Sequence, residues 1–235
     1  MISVRAVELF ANAPRYEGTY VRRAEACLLP WSLGIEEIER LLCIVGVREP
    51  FFSLSNPDAG IDPFNSWRFH DPHGFYADPR AVMREALRGT STLIVRHAHL
   101  LIPEVRAWAL ALQNENLSVH ANCYLTPPNS SGMPMHSDPR DTLLLQQHGS
   151  KHWQVRSLND GAGLASPVQQ TVNPAPLLDV TLNPGDVLFI PAGCYHQSTT
   201  GDAHSMHLTL GLRSLSVIAG EKPSQSWPCE LRRIV

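Results

Sequence analysis

The sequence is short of the features that would settle its class quickly. It has only five cysteines, at positions 27, 43, 123, 194 and 229, and no two form a CxxC pair. An odd, scattered set argues against a secreted disulfide framework or a zinc knuckle and fits a reducing compartment. Cys194 precedes His196 by two residues, and its plain reading is a small buried apolar side chain. No apolar run approaches the roughly 18 residues of a membrane span, and the opening Met1-Ile-Ser-Val-Arg-Ala-Val-Glu lacks the apolar core of a signal peptide. Charge is sparse at 17% and nearly balanced, with a net of -3, so there is no basic footprint for nucleic acid or an anionic membrane. Repeats and low-complexity tracts are absent as well. With 43% apolar residues over 235 positions, the sequence describes an ordinary globular protein with a sizeable core, and its expected location is the cytoplasm.

Periodicity divides the chain. In the first half, Ile35, Ile38, Leu42 and Val45 follow helical spacing before Gly46, which predicts a helix over 32–45. Asp78, Pro79 and Gly89 bracket a second helix over 79–87. A third begins near Pro103 and carries Val105, Trp108, Ala109 and Leu112 on one stripe. Between the second and third, Ser91–Arg96 reads as a buried strand. From residue 117 the period becomes two. Strands are expected at 117–126, 141–147, 151–156, 177–182, 187–190 and 205–212, separated by Pro-, Gly- and Asn-rich turns. Short strands at such intervals suggest a sandwich or barrel. The expectation is one domain over 1–235: a helical and mixed part at 1–116, a barrel core at 117–212 and a short tail at 213–235.

Within that β region the spacing His136-Ser137-Asp138, then Lys151, then His196 stands out. A His and an Asp two apart on a strand share a face. A His from a later segment, just past 187–190 at the Pro191-Ala-Gly turn, completes two imidazoles and a carboxylate. That donor set leaves coordination positions open and suits non-haem Fe(II). A lone HxD pair is commonly a surface pair, so the third ligand carries weight. A keto-acid co-substrate with a distal carboxylate would need a buried cation, and Lys151 at the start of a strand can supply it. The plain alternative is a solvated strand-end lysine. Asn122 and Tyr124 share one face, as do His207 and Thr209, and they read either as pocket lining or as a hydrogen-bonded polar core. His70-Asp71-Pro72-His73 is a poor ligand cluster because Pro72 breaks a strand. His97 and His99 fit one strand face but lack a third partner, and His148 and His152 read as exposed.

Several segments resemble a known family in family order. They are Asn122-Cys-Tyr-Leu-Thr-Pro127, His136-Ser-Asp138, Leu145-Gln-Gln-His-Gly-Ser-Lys151-His-Trp153, Leu182-Asn-Pro-Gly-Asp-Val-Leu-Phe-Ile-Pro191 and His204-Ser-Met-His-Leu-Thr209. Together they resemble the JmjC-type cupin oxygenases, in the branch of ribosomal oxygenases that hydroxylate protein side chains. The resemblance is strong over 117–212 and weaker upstream. It implies a mainly β fold with peripheral helices, a double-stranded β-helix of the cupin/JmjC jelly-roll kind. It implies Fe(II) on His136, Asp138 and His196, with 2-oxoglutarate as co-substrate and O2 as oxidant. It assigns the distal carboxylate of 2-oxoglutarate to Lys151, assisted by Tyr124 and Thr209, with Asn122 nearby. The implied reaction is hydroxylation of an amino-acid side chain in a protein or peptide substrate. The same chemistry on an amino-acid-derived small molecule, a non-catalytic binding module and a metal cupin without 2-oxoglutarate are the alternatives. Two departures stand out. Ser137 replaces the family's usual aromatic residue, and the tail leaves no room for the C-terminal dimerisation and winged-helix-like regions of the ribosomal members. The ribosomal members' mode of dimerisation and their ribosomal-protein substrates therefore do not carry over with the motifs, while a homodimer stays open. Specificity is expected in the N-terminal half and in segment 157–176 over the barrel mouth.

Overall fold

A computed structural model describes residues 20–22, 33–45, 51–56, 79–113, 117–156 and 178–214. The His70–His73 cluster, segment 157–176 and the tail beyond 214 lie outside the described residues. In chain order the elements are β1 (Tyr20–Arg22), α1 (Ile35–Val45), β2 (Phe52–Ser55), α2 (Pro79–Arg88), β3 (Thr92–Val95), α3 (Ala98–Leu101), α4 (Pro103–Leu112) and β4 (Leu117–Thr126). Then follow β5 (His136–Ser137), β6 (Asp141–His148), β7 (Lys151–Arg156), β8 (Leu178–Leu182), β9 (Val187–Ile190), β10 (Tyr195–Thr199) and β11 (Ser205–Ser214).

The strands form two sheets. The larger has seven strands in the order β1-β9-β6-β11-β4-β3-β2, and the smaller has four in the order β5-β10-β7-β8. Every pairing is antiparallel. Each sheet draws neighbours from distant parts of the chain, as a jelly roll requires. Strands β1, β2 and β3 extend the larger sheet, so the N-terminal half belongs to the same architecture as the barrel.

Two apolar cores follow from strand alternation. On the outer face of the larger sheet, Ala121, Cys123 and Leu125 of β4, Leu143 and Leu145 of β6 and Leu208 and Leu210 of β11 meet the helices. The helices contribute Ile38, Leu41 and Leu42 (α1), Val82, Met83 and Ala86 (α2) and Val105, Trp108 and Ala109 (α4). Between the sheets lies a smaller core of Leu144, Trp153, Val155, Leu182, Leu188, Ile190 and Cys194. Strand β6 is buried on both faces, which explains its unbroken apolar run. The inner core fills only part of the barrel. Polar residues from β4, β7, β10 and β11 line the rest, and the candidate site lies there.

Two expectations need correction. His97 and His99 do not lie on a strand. His97 takes a left-handed conformation (φ 53°, ψ 38°) as the residue before α3, and His99 lies within that helix. His196 is not at the turn after β9 but inside β10, paired with His136 of β5.

Candidate metal centre

His136 opens a strand of two residues, and Asp138 follows it directly. The backbone carbonyl of Asp138 accepts from the Gly193 N–H at 2.8 Å, which ties the carboxylate's segment to the turn leading into β10. The His136↔His196 pairing then sets the two rings side by side, with centroids 4.4 Å apart. His196 Nε2 is 3.9 Å from Asp138 Oδ2. One ligating atom from each of the three residues lies within 4.8 Å of the others.

Tautomers follow from the surroundings. The Nδ1–H of His136 donates to Pro134 O at 2.8 Å, and that of His196 donates to Cys194 O at 3.0 Å. A carbonyl only accepts, so both Nδ1 atoms carry the hydrogen and Nε2 is the atom of each ring left to ligate. Burial, with the adjacent His136 ring, holds His196 down to about 4, so its imidazole stays neutral. Two imidazoles presenting Nε2 and one carboxylate suit a divalent first-row metal. The Thr142 hydroxyl, 3.5 Å from Asp138 Oδ2, supports the carboxylate from behind.

Lys151 occupies the same barrel interior at its other end. It is only 1% exposed, yet its Nζ meets a hydroxyl and no carboxylate: Thr126 Oγ1 at 2.7 Å. Burial pulls the amine down to about 7. An isolated buried ammonium is costly unless it is paired. Ser198 Oγ lies close by, because a Cβ at Gly132 would stand 3.0 Å from both Lys151 Nζ and Ser198 Oγ. Between cation and triad sit two further orphans, Trp153 Nε1 and His207 Nδ1, buried without hydrogen-bond partners. His207 stacks on Tyr124 (4.9 Å, 2° between planes) and meets Trp153 edge-on at 5.2 Å. Burial keeps His207 well below its ordinary range, with the Lys151 charge adding to the effect. An unpaired indole N–H and an unpaired imidazole nitrogen between a buried cation and an open metal triad fit a bound dicarboxylate.

The other expected contacts separate by level along the barrel. Tyr124 pairs with His207 and Asn122 pairs with Thr209 in the β4–β11 ladder, two and four residue pairs from the Thr126↔Ser205 pair beside Lys151. Asn122 Oδ1 accepts the His97 N–H at 3.1 Å, and Asn122 Nδ2 is 3.5 Å from the Tyr124 hydroxyl. Burial, then the Asp138 charge, raises the Tyr124 hydroxyl. The hydrogen-bond partner of Lys151 is thus Thr126, with Ser198 on the other side of the Gly132 space and Asn122, Tyr124 and Thr209 further along the interior wall. Thr126 shares parity with Asn122 and Tyr124, and that signal was available in the sequence. Ser198 follows from parity with His196 once β10 is recognised.

A family model described as the JmjC domain matches residues 100–219. The chain belongs to the JmjC-domain family. The JmjC match spans every residue of the triad and Lys151. Among curated relatives, the bifunctional lysine-specific demethylase and histidyl-hydroxylase NO66 of Aedes aegypti is 30% identical over 207 residues, covering 85% of this chain and 30% of that protein. The protein of the same name from Drosophila willistoni is 40% identical over 164 residues, covering 67% of this chain and 19% of its own length. The chain therefore spans under a third of the curated relatives it matches. Among solved structures, the Escherichia coli ribosomal oxygenase YcfD superposes with a TM-score of 0.58 at 18% identity, over 93% of this chain and 62% of that one. YcfD in complex with cobalt and 2-oxoglutarate gives 0.57 at 16% identity, over the same shares. At that identity the likeness establishes the jelly-roll fold.

Proposed function

We propose that this JmjC chain is an Fe(II)- and 2-oxoglutarate-dependent oxygenase that hydroxylates an amino-acid side chain of a protein or peptide. The observation that carries the reading is Lys151. Among the described residues its buried amine has a hydroxyl, Thr126 Oγ1, and the Trp153 ring beside it but no carboxylate, and it answers the distal carboxylate of 2-oxoglutarate. The relatives' names, histidyl-hydroxylase and a ribosomal oxygenase bound to cobalt and 2-oxoglutarate, support the same chemistry and a protein substrate.

His136, Asp138 and His196 would hold the metal. Fe(II), with 2-oxoglutarate and O2, supplies the oxidising power that converts a substrate C–H to C–OH and leaves succinate and carbon dioxide. The chain's own residues orient and shield. Lys151 and Thr126 fix the far end of the co-substrate, and the Trp153 indole N–H offers a donor along its length, with the His207 ring beside it. The apolar wall of Leu144, Leu188 and Ile190 keeps bulk water out. Cytoplasmic residence fits the cysteines, of which Cys123 is buried and unbridged.

The test is anaerobic calorimetry of Mn(II)-loaded protein with 2-oxoglutarate. One co-substrate should bind per chain, and His136→Ala should abolish metal retention. Absence of 2-oxoglutarate binding to the metal-loaded wild type would sink the proposal. Succinate release with blocked peptides set against free amino acids then separates a peptide substrate from a metabolite.

A further inference from the structure

The rim of the barrel beside the triad holds a second group that the metal and co-substrate do not use. His120 stands on the inward face of β4, two residues before Asn122, and pairs with Gly211 of β11. Gly211 also pairs with Thr142 of β6, the residue whose hydroxyl reaches Asp138. A Cβ at position 211 would collide with the His120 ring and stand 2.8 Å from Arg140 Cδ. Both side chains therefore lie over the bare backbone of Gly211. Arg140 Nη1 is 2.8 Å from Nε2 and 3.0 Å from Nδ1 of His120, so the guanidinium rests against the imidazole.

No described carboxylate lies within ion-pair distance of the Arg140 charge. Burial, then Arg140 itself, holds His120 down to about 4, which leaves a neutral ring that accepts from the guanidinium without balancing it. Arg140 makes no ion pair among the described residues. The nearest carboxylates in sequence have other roles: Asp138 belongs to the triad, and Asp141 Oδ1 accepts the Ala192 N–H at 2.8 Å. His97 and His99 face His120 from the α3 side and add no negative charge. A half-buried guanidinium held in one orientation beside an open metal site presents donors suited to a planar carboxylate.

We infer that Arg140, seated on His120 over Gly211, is a substrate subsite for a carboxylate next to the carbon that is oxidised. The inference rests on the oxygenase reading and adds the substrate's charge to it. The carboxylate comes either from an Asp or Glu side chain near the target residue of a peptide or from the α-carboxylate of a free amino acid. A target flanked by lysines meets repulsion at the same place.

The experiment measures anaerobic binding of three probes to the Mn(II)-loaded full chain. They are blocked peptide Asp-Gly-His-Gly-Asp, blocked peptide Lys-Gly-His-Gly-Lys and N-acetylhistidine. The acidic peptide or N-acetylhistidine should bind about tenfold or more tightly than the Lys peptide, on the order of one well-placed charge-assisted hydrogen bond. Preference for the acidic peptide assigns the side-chain source, and preference for N-acetylhistidine assigns the free amino acid. Arg140→Gln should erase the discrimination, while Arg140→Lys should keep part of it. Equal binding of acidic and basic probes, no binding of either carboxylate probe, or discrimination that survives in Arg140→Gln overturns the subsite. If Arg140→Gln does not fold, full retention of the preference in Arg140→Lys, which keeps the charge but loses the planar fork, overturns it equally. Calorimetry with 2-oxoglutarate on the same samples keeps the two proposals apart. Its failure removes the oxygenase, whereas the probe series decides the carboxylate.

Discussion

At the scale of single residues, Lys151 links stability and function in opposite directions. Folding strips its amine of water and returns one hydroxyl, so the folded chain holds the proton less tightly than the unfolded one. The folded value is about 7 against an ordinary 10.5. Between those limits the unfolded state binds more protons, and stability of the co-substrate-free protein therefore rises with pH across that window. Of the groups electrostatically coupled to the amine, His207 stays neutral, and burial pushes the Cys123 thiol from 9.0 up to about 12, a shift that works against the rise only above about pH 9. Lys151→Met should flatten the rise and raise the melting temperature at pH 7, while weakening 2-oxoglutarate binding by roughly 10- to 100-fold, the worth of a charge-assisted hydrogen bond. Thermal melts from pH 6.5 to 9.5 and calorimetry of the variant check both halves. Above pH 7 the arriving dicarboxylate must restore the proton, so at pH 8 binding should take up close to one proton per site. A binding enthalpy at pH 8 that does not vary with the buffer's ionisation heat would remove this linkage. The cation itself was readable from the sequence as the start of a strand after a Gly-Ser turn. Its hydroxyl partners are less visible, because a threonine on the inward face of a strand looks the same whether it holds a lysine or another threonine. Thr126 does both, with the Thr92 hydroxyl at 3.1 Å.

At the scale of elements, what the sequence reveals depends on how one-sided each segment is. Strand β7 alternates buried and half-buried residues from Lys151 to Arg156 and is legible at once. Strand β10 carries His196, Ser198 and a tyrosine among polar neighbours, so its pattern resembles a loop, although all five of its residues pair with β7. Strand β5 has two residues, too few for any period, and exists because β10 offers it an edge. The metal ligands thus fall on the least legible strands, and their spacing announced them before their secondary structure did. The β6–β7 hairpin shows the converse, since its Gly-Ser turn is plain in the sequence and strict in the structure. Gly149 takes φ +60°, and a Cβ there would strike the His204 carbonyl. Gly149→Ala should lower stability by about 1–3 kcal/mol, measurable by urea denaturation. At Gly132 the space is tighter than usual without backbone collision. Gly132→Ala should leave the melting temperature nearly unchanged but weaken 2-oxoglutarate, since the new methyl stands against Lys151 Nζ and Ser198 Oγ.

At the scale of the whole molecule, the two cores are unequal. The outer core joins the helices to the seven-stranded sheet through a large, continuous apolar set, whereas the inner core holds the two sheets together with far fewer side chains. The smaller sheet ends at β5, whose two residues are anchored by pairing with β10 and by the Asp138–Gly193 backbone bond. Among the described residues the edge that carries His136 and Asp138 is therefore thinly supported. A metal bridging His136, Asp138 and His196 adds a cross-link between β10 and the segment that begins at β5. Ligand binding to the native state alone stabilises by about 2.7 kcal/mol at a hundredfold excess over Kd. Mn(II) should thus raise the melting temperature, and the gain should be lost in Asp138→Ala. Hydrogen exchange should slow first at the amides of Gly193, His196 and Ser137, before those of β4 or β11, whose ladder is already long and buried. Uniform slowing across both sheets would instead mean that the metal tightens the barrel as a unit rather than closing its open edge.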